Sequence, residues 1–159
     1  MIKISISNLH KTFGENRVLR GLTLDVYEGE ILCIIGKSGT GKSVIMKHLV
    51  GMIEPDSGTI TVDGENFTGS PPDTRRGIIS KYGILFQGAA LFDSMNIYDN
   101  VAFGLRRQGF SEDEITPIVK QSLYNVGLAG AGGSFPSDLS GGMQKRAALA
   151  RSIAVKPQI

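Results

Sequence analysis

"GKSGTGKS" (residues 36–43) is the stretch that decides the fold. It fits the pattern G-x-x-x-x-G-K-[ST] at every fixed position, and it lies between the apolar run "ILCIIG" (31–36) and "KSVIMKHLVGM" (42–52), which has helical length. Glycines at this spacing let the backbone curl with its N–H groups pointing inwards, and the following helix adds partial positive charge at its N-terminus. The stretch therefore predicts a loop that binds the phosphates of a nucleoside triphosphate.

Two side chains of this loop have predicted roles. We expect Lys42 to reach the β- and γ-phosphates and the Ser43 hydroxyl to bind Mg²⁺. A plain glycine-rich turn is the alternative, and the strand–loop–helix context that phosphate binding requires argues against it. The predicted nucleotide-binding residues of the loop are Gly36, Lys37, Ser38, Gly39, Thr40, Gly41, Lys42 and Ser43.

The hydrophobic pattern of the chain predicts an α/β fold, rich in strands to about residue 87 and helical from there to 155. Residues 31–36 are apolar on both faces, as in a strand buried within a sheet, and Cys33 is expected to be buried there. Residues 82–87 are a further candidate for a buried strand. Ser111 with Glu114 resembles a capping box, but Pro117 would then lie inside the helix, so Thr116 is the predicted N-cap with Pro117 at the first helical position. Ser140 begins the last helix. The other predicted strands cover 2–7, 18–27 and 58–64, and the other predicted helix covers 94–109.

The composition of the chain restricts the possible functions less than the phosphate-loop motif does. The net charge of +2 gives no field strong enough to imply nucleic acid as a partner. The single cysteine cannot form an internal disulfide, which is typical of a reducing compartment. No apolar stretch reaches the roughly 18 residues that span a bilayer, so we expect any membrane attachment to run through partners.

The stretch "LSGGMQKRAALAR" (139–151) narrows the class. Together with the phosphate loop and "LFQ" (85–87), it resembles the ATP-binding cassette family of transporter ATPases. "LSGGMQKR" is similar to the cassette signature, Gln87 to the glutamine of the Q-loop, and Phe13 to the aromatic residue that stacks on adenine. A P-loop kinase or GTPase does not account for the signature or for the Q-loop.

The resemblance implies a P-loop NTPase fold with a RecA-like core and an inserted helical subdomain. It implies residues 1–87 as the N-terminal part of the core, 88–155 as the helical subdomain with the signature helix, and 156–159 as the start of a further strand. ATP and Mg²⁺ would be the cofactors, with Lys42 and Gln87 as catalytic residues and Ser43 and Gln87 at the metal.

In such a family, Ser140, Gly141 and Gly142 receive the γ-phosphate of the ATP held by a second copy in a head-to-tail dimer. Bare backbone at a helix N-terminus suits that task. Phe13 needs only a flat face, because stacking tolerates any base. The alternatives are a core aromatic for Phe13, a polar strand end for Gln87, and an N-cap with a glycine turn for Ser140.

A finer resemblance concerns "ALFDS" (90–94) and "SVIMKHLVG" (43–51), which look like the ATPases of Mce-type lipid transporters, including the maintenance-of-lipid-asymmetry and toluene-tolerance systems. It implies transport of phospholipid or another hydrophobic envelope component. It also implies a transmembrane permease contacted by residues 88–110, a lipid-binding Mce-type component and a place on the inner face of the cell membrane. The same ATPase class with another cargo is the alternative.

The last residues, "KPQI" (156–159), stand where a cassette ATPase begins its Walker B strand. That strand ends in an Asp that supports Mg²⁺ and a Glu that polarises the attacking water. No apolar run ending in Asp-Glu occurs in residues 1–159. We therefore expect the chain to be truncated before Walker B and inactive in hydrolysis, or else to be a nucleotide-binding interaction module that never hydrolyses ATP.

Overall fold

The structure is a computed structural model that describes all residues from Met1 to Ile159. The chain forms two compact units, Met1–Ser80 and Lys81–Ile159, each with its own packing. The division falls seven residues before the boundary at 87 that the sequence suggested. None of the helices combines the length and the apolar character that a membrane span requires.

The first unit is built on a four-stranded antiparallel sheet in the order β2-β1-β3-β4. The predicted strands at 2–7, 18–27 and 58–64 are confirmed, two of them as longer elements. Alternate residues of β1, among them Ile4 and Ile6, are buried opposite Val62 and Ile60 of β3, as the period of two requires. The elements are β1 (Ile2–Phe13), β2 (Asn16–Tyr27), α1 (Lys42–Leu49), β3 (Ser57–Val62), β4 (Glu65–Asn66) and α2 (Pro72–Ile79).

Strands β1 and β3 approach most closely at Gly58, where their register shifts. Gly58 has a φ of +95°, and a Cβ at this position would lie 2.3 Å from the carbonyl oxygen of Asn8. Asn8 is itself left-handed, with a φ of 49°. Only glycine meets both requirements, the backbone angle and the missing side chain.

The prediction of a buried strand at 31–36 is wrong. The segment is no strand here, Ile31 and Ile35 are 93% and 90% exposed, and Cys33 is exposed as well. A strand apolar on both faces needs neighbours on both sides, and no segment of residues 1–159 pairs its backbone with this one. Helix α2, by contrast, was not predicted, although Pro72 stands at its first position.

The second unit contains the helices α3 (Ile97–Arg107), α4 (Glu112–Asn125) and α5 (Gly141–Ala154), with two short 3₁₀ turns between the last two. Apolar residues three or four apart on each helix meet in one core. Burial of such a side chain contributes about 1.5–3 kcal/mol. The core residues of the three helices are Ile97, Val101, Ala102, Leu105, Ile115, Val119, Leu123, Ala147, Ala150 and Ala154.

Helix α4 begins earlier than predicted. Its N-cap is Ser111, whose backbone N–H and hydroxyl both donate to the Glu114 carboxylate, at 2.9 and 2.7 Å. Pro117 lies inside the helix, where its ring removes one backbone hydrogen bond. The capping bonds and the three carboxylates of the first turn outweigh that loss, so the prediction of Thr116 as N-cap is wrong.

Residues 82–87 were also predicted as a strand, and they form none. One pairing is present all the same: the Gly83 amide donates to the Ile159 carbonyl at 2.8 Å, and the Ile159 amide donates to the Lys81 carbonyl at 3.1 Å. This pair of bonds is the pattern of two parallel neighbours. The pairing requires glycine at residue 83, because a Cβ at this position would lie only 2.6 Å from Cγ of Pro157.

Candidate nucleotide-binding site

The phosphate loop lies between β2 and α1 and owes its curl to glycines. Gly39 and Gly41 have φ angles of +82° and +97°, which other residues rarely adopt. Gly41 also needs the space, since a Cβ would lie 3.0 Å from Val18 Cγ1 and 3.2 Å from Leu19 Cδ2 of β2. The loop therefore rests directly on the strand that pairs with β1.

Lys42, the first residue of α1, folds back over the loop. Its ammonium donates to the carbonyls of Gly36 and Lys37, at 2.8 and 2.7 Å. Thr40 closes the curl from the other side, because its hydroxyl donates to the Lys37 carbonyl at 2.9 Å. The two Lys42 bonds hold the lysine charge within the loop, and the Thr40 bond closes the turn between Lys37 and Thr40.

This arrangement fits a phosphate chain. The loop from Lys37 to Thr40 is exposed, a cationic nitrogen lies within it, and the N-terminus of α1 begins at its end. The Ser43 side chain is also exposed, one residue into the helix, where a hydroxyl can bind Mg²⁺. No group of three or more His, Cys, Asp or Glu side chains lies close enough to hold a metal. The fit thus rests on a hydroxyl and on phosphate oxygens, which are ligands that Mg²⁺ accepts.

Phe13 stands at the tip of the hairpin formed by β1 and β2. Its ring is 48% exposed, and the ammonium of Lys11 lies 5.5 Å from the ring centroid. An exposed aromatic face beside a cation is suited to stacking on a base, and the reading of Phe13 as a core aromatic does not fit this exposure.

Asp56 holds the end of β1 next to Phe13, and the sequence analysis did not identify it. Its carboxylate accepts from the Lys11 ammonium at 2.9 Å and from the Thr12 amide at 2.7 Å. The Lys11 bond and then the Thr12 bond hold the pKa of Asp56 below its ordinary value. The only signal in the sequence is the turn composition of "EPDSG" (54–58).

The signature stretch begins helix α5. Ser140 is the N-cap, and its hydroxyl accepts from the Met143 amide at 3.3 Å. Gly141 and Gly142 are exposed, with nothing within 4 Å of the position where a Cβ would stand. The helix therefore presents bare backbone N–H groups at its start, as an anion requires.

Gln144 supports that helix start in a way the sequence did not reveal. Its side-chain amide donates to the carbonyls of Pro136 and Leu139, at 2.8 and 3.3 Å. The turn before Ser140 is thereby tied to the second turn of α5. A glutamine in the signature thus has a local structural task in this chain.

Gln87 lies on an exposed stretch at the start of the second unit. Phe13 and the phosphate loop belong to the first unit, whereas Gln87 and Ser140–Gly142 belong to the second. The roles of all these residues towards ATP and Mg²⁺ remain predictions.

Known proteins resemble this chain along almost its whole length. A family model described as "ABC transporter" matches residues 19–159. The chain is 44% identical to the "Probable ribonucleotide transport ATP-binding protein mkl" of Mycobacterium leprae, over 99% of this chain and 46% of that protein. It is 42% identical to the chloroplastic protein TRIGALACTOSYLDIACYLGLYCEROL 3 of Arabidopsis thaliana, over 96% of this chain and 44% of that protein. The chain thus spans about half the length of the curated relatives it matches.

The solved structures agree with the predicted fold. The dimeric bacterial ABC transporter cassette MJ0796 matches with a TM-score of 0.89 at 29% identity, over 97% of this chain and 70% of that one. The prediction of an α/β P-loop NTPase fold is therefore confirmed, and the solved chain extends beyond the part that this one covers. With the family model covering most of its residues, this chain belongs to the ABC transporter family.

Proposed function

We propose that the protein carrying this chain is the ATP-binding subunit of an ABC transporter and couples ATP binding and hydrolysis to transport. The observation that carries the proposal is the exposed phosphate loop with the Lys42 ammonium bonded at its centre. Family membership and the exposed helix start at Ser140 support it.

Each predicted residue has a task that its surroundings allow. Phe13 offers its exposed face to the base, Lys42 neutralises the β- and γ-phosphates, and the backbone N–H groups of the loop bind them. The Ser43 hydroxyl oxygen and the Gln87 side-chain amide oxygen are the groups that would bind Mg²⁺. Bound Mg-ATP supplies the phosphoryl group that is cleaved and the metal charge that screens it.

The partners follow from the same proposal. Two copies meet head to tail, so that Ser140–Gly142 of one copy face the phosphates bound by the other. A transmembrane permease contacts residues 88–110, and the protein thereby lies on the inner face of the cell membrane. The dimeric state of the matching cassette supports the first of these statements.

Hydrolysis needs a general base, and no apolar run of residues 1–159 ends in Asp-Glu. Loss of a general base costs a factor of about 10² to 10⁴ in rate. We therefore propose that residues 1–159 alone bind ATP weakly and do not hydrolyse it, whereas a chain continued through a Walker B strand hydrolyses it.

The test is to measure phosphate release by both chains at equal concentration, with Lys42→Ala in each as the background. Turnover by the 159-residue chain above that background would show that a residue within it acts as the base. If neither chain turns over while both bind ATP, the nucleotide-binding interaction module would be the better description.

For the cargo, we propose a phospholipid or another hydrophobic envelope component, delivered with a lipid-binding Mce-type component. Support comes from "ALFDS" (90–94) and from the Arabidopsis relative, whose name is that of a glycolipid. The mycobacterial relative is named for ribonucleotide transport, which is the competing cargo. The experiment is reconstitution with the co-encoded permease, followed by ATP-dependent movement of a fluorescent phospholipid and of a labelled ribonucleotide. Movement of the ribonucleotide alone would reject the lipid.

A further inference from the structure

The backbone directly after Gln87 has an unusual conformation. Ala89 and Ala90 are consecutive non-glycine residues with positive φ, 61° and 51°. Alanine avoids this region because its Cβ approaches the carbonyl oxygen, so such residues persist only where the surroundings hold them. Something must therefore keep residues 88–96, which we call the 88–96 loop, in this shape.

Arg151, near the end of α5, is the group that holds it. One guanidinium nitrogen donates to the Ala90 carbonyl at 2.7 Å, and another donates to the Ala89 carbonyl at 3.1 Å. The guanidinium also lies 5.7 Å from the centroid of Phe92. The side chain is half-buried and no carboxylate pairs with it, so its charge is directed to these two carbonyls and this ring.

The other end of the 88–96 loop is fixed independently. Asn100 of α3 is fully buried, and its side chain accepts from the Phe92 amide at 2.7 Å. The same side chain donates to the carbonyls of Phe92, Met95 and Asn96, each at 3.0 Å. Asn100 leaves the Ala89–Ala90 end untouched. The amides there bond only to nearby carbonyls, those of Phe86 and Gly88, so Arg151 is the group that ties this end to another element.

We infer that Arg151 is a positioning residue: it ties the backbone that follows Gln87 to the signature helix, so that the two change position together. Helix α5 begins at Ser140, where we expect a phosphate to bind. Near its other end, Arg151 binds the 88–96 loop, which we expect to face the permease. This inference rests on the proposed function for its meaning, and its structural part is tested separately.

The chain offers a matched control on the same helix. The guanidinium of Arg146 also donates to two adjacent carbonyls, those of Val126 and Gly127, at 3.0 and 3.1 Å. Arg146→Ala therefore removes an equivalent pair of hydrogen bonds from a different segment. Any effect common to both variants reflects the stability of α5 alone.

The first experiment is amide hydrogen exchange on the complete protein without a permease. In Arg151→Ala, the amides of Ala89 and Ala90 should exchange about tenfold faster relative to the core amide of Val119, whereas the Phe92 amide, held by Asn100, should not. In Arg146→Ala, the faster exchange should appear at Gly127 and Leu128 and not at Ala89. Equal acceleration of Ala89 in both variants would overturn the inference.

A rescue separates holding the backbone from general packing. Ala90 is exposed, so Ala90→Gly removes little contact and permits the positive φ without support. Adding it to Arg151→Ala should restore slow exchange at Ala89. Arg151→Lys keeps a charged donor but loses the planar guanidinium with its separate nitrogens, so it should show an intermediate rate. No recovery with glycine would contradict the inference.

The second experiment measures ATP turnover of the complete protein with its permease. Arg151→Ala should lower the permease-stimulated kcat about fivefold, which is within the range of couplings between sites. The KM for ATP should stay within about twofold, since uniform binding is unchanged. Ala90→Gly should recover most of the loss, and Arg146→Ala should keep full stimulation. A rise in KM with unchanged kcat would reject the role of Arg151.

The two experiments fail in different ways. If the wild-type protein is not stimulated by its permease, the proposed function fails, while hydrogen exchange still decides whether Arg151 holds the loop.

Discussion

Lys42 is the residue on which nucleotide affinity should depend most directly. Its ammonium is the only side-chain charge bonded within the phosphate loop, through the carbonyls of Gly36 and Lys37. Lys42→Ala should weaken binding of a fluorescent ATP analogue about tenfold, or ~1.4 kcal/mol. Lys47→Ala, an exposed lysine further along α1, removes the same charge and should change affinity little. Unchanged affinity in Lys42→Ala would reject the assignment of the phosphate loop.

Phe13 should contribute without distinguishing bases. Its ring is half exposed beside Lys11, and stacking contributes ~1–3 kcal/mol for any base. Phe13→Ala should therefore weaken ATP, GTP and CTP by similar factors in competition titrations, and Phe13→Tyr should restore binding. A loss confined to ATP would mean that hydrogen bonds elsewhere hold the base.

At this scale the sequence predicts most of what the site contains, because each motif residue has a fixed distance from its neighbours along the chain. The phosphate-loop curl and the Ser140 cap follow from local pattern, whereas the role of Phe13 was inferred from the family resemblance. Asp56 and Arg151 could not be predicted in this way. Their partners lie tens of residues away along the chain and include backbone groups, the Thr12 amide and the Ala90 carbonyl, which leave no trace in the sequence.

Among the elements, helix α4 shows how a short capping motif overrides a proline. The Ser111 amide and then the Ser111 hydroxyl lower the pKa of Glu114 from its ordinary 4.5. A carboxyl with a lowered pKa stabilises the fold above pH 4.5, and that contribution is lost as pH falls through the lowered value.

The prediction uses Glu114→Gln, which keeps an acceptor for Ser111 and removes the charge. The free energy of unfolding should favour the wild type at neutral pH, and the difference should vanish as the pH falls below 4.5. Denaturant titrations at several pH values measure it. Asp113→Asn, a first-turn carboxylate without a bond to Ser111, separates the hydrogen bond from the helix dipole. A difference that persists in acid would contradict the argument.

The parallel pairing of Ile159 with Lys81 and Gly83 depends on a glycine. In Gly83→Ala the new Cβ would lie 2.6 Å from Pro157 and 2.8 Å from the Ser152 hydroxyl oxygen. Overpacking of this kind costs about 1–3 kcal/mol, so the Ile159 amide should exchange freely in the variant. Gly88→Ala meets nothing within 4 Å and is the control. Retained protection in Gly83→Ala would show that the turn has room to spare.

Elements divide into those that local pattern predicts and those that need partners. The hairpin strands and α5 were predicted, because alternation and caps are properties of one segment. The segments 31–36 and 82–87 were not correctly predicted, because a strand exists only when another strand pairs with it. Apolar composition indicates a buried strand and does not supply its neighbours.

For the whole molecule, the exposed segment 31–36 is the main liability of residues 1–159. Ile31 and Ile35 are almost fully exposed, and the backbone between them is unpaired. A segment with unpaired backbone N–H and C=O groups and exposed apolar side chains can pair with the same segment of another copy. The 159-residue chain should therefore self-associate in sedimentation experiments, and Ile31→Lys with Ile35→Lys should reduce it. Tyr124→Lys, at a side chain 69% exposed in the other unit, should not. If the wild type, the Ile31→Lys/Ile35→Lys double variant and Tyr124→Lys all associate equally, the surface of self-association lies outside residues 31–36.

The close approach of β1 and β3 at Gly58 also constrains how the gene can change. Any single-base change in a glycine codon that alters the amino acid introduces a side chain with a Cβ, and a Cβ at this position would lie 2.3 Å from the carbonyl oxygen of Asn8. No mutational neighbour of this codon is acceptable, whatever its polarity or size. A library of variants scored for folding alone, with no nucleotide present, should therefore keep glycine at residue 58 through every round of selection.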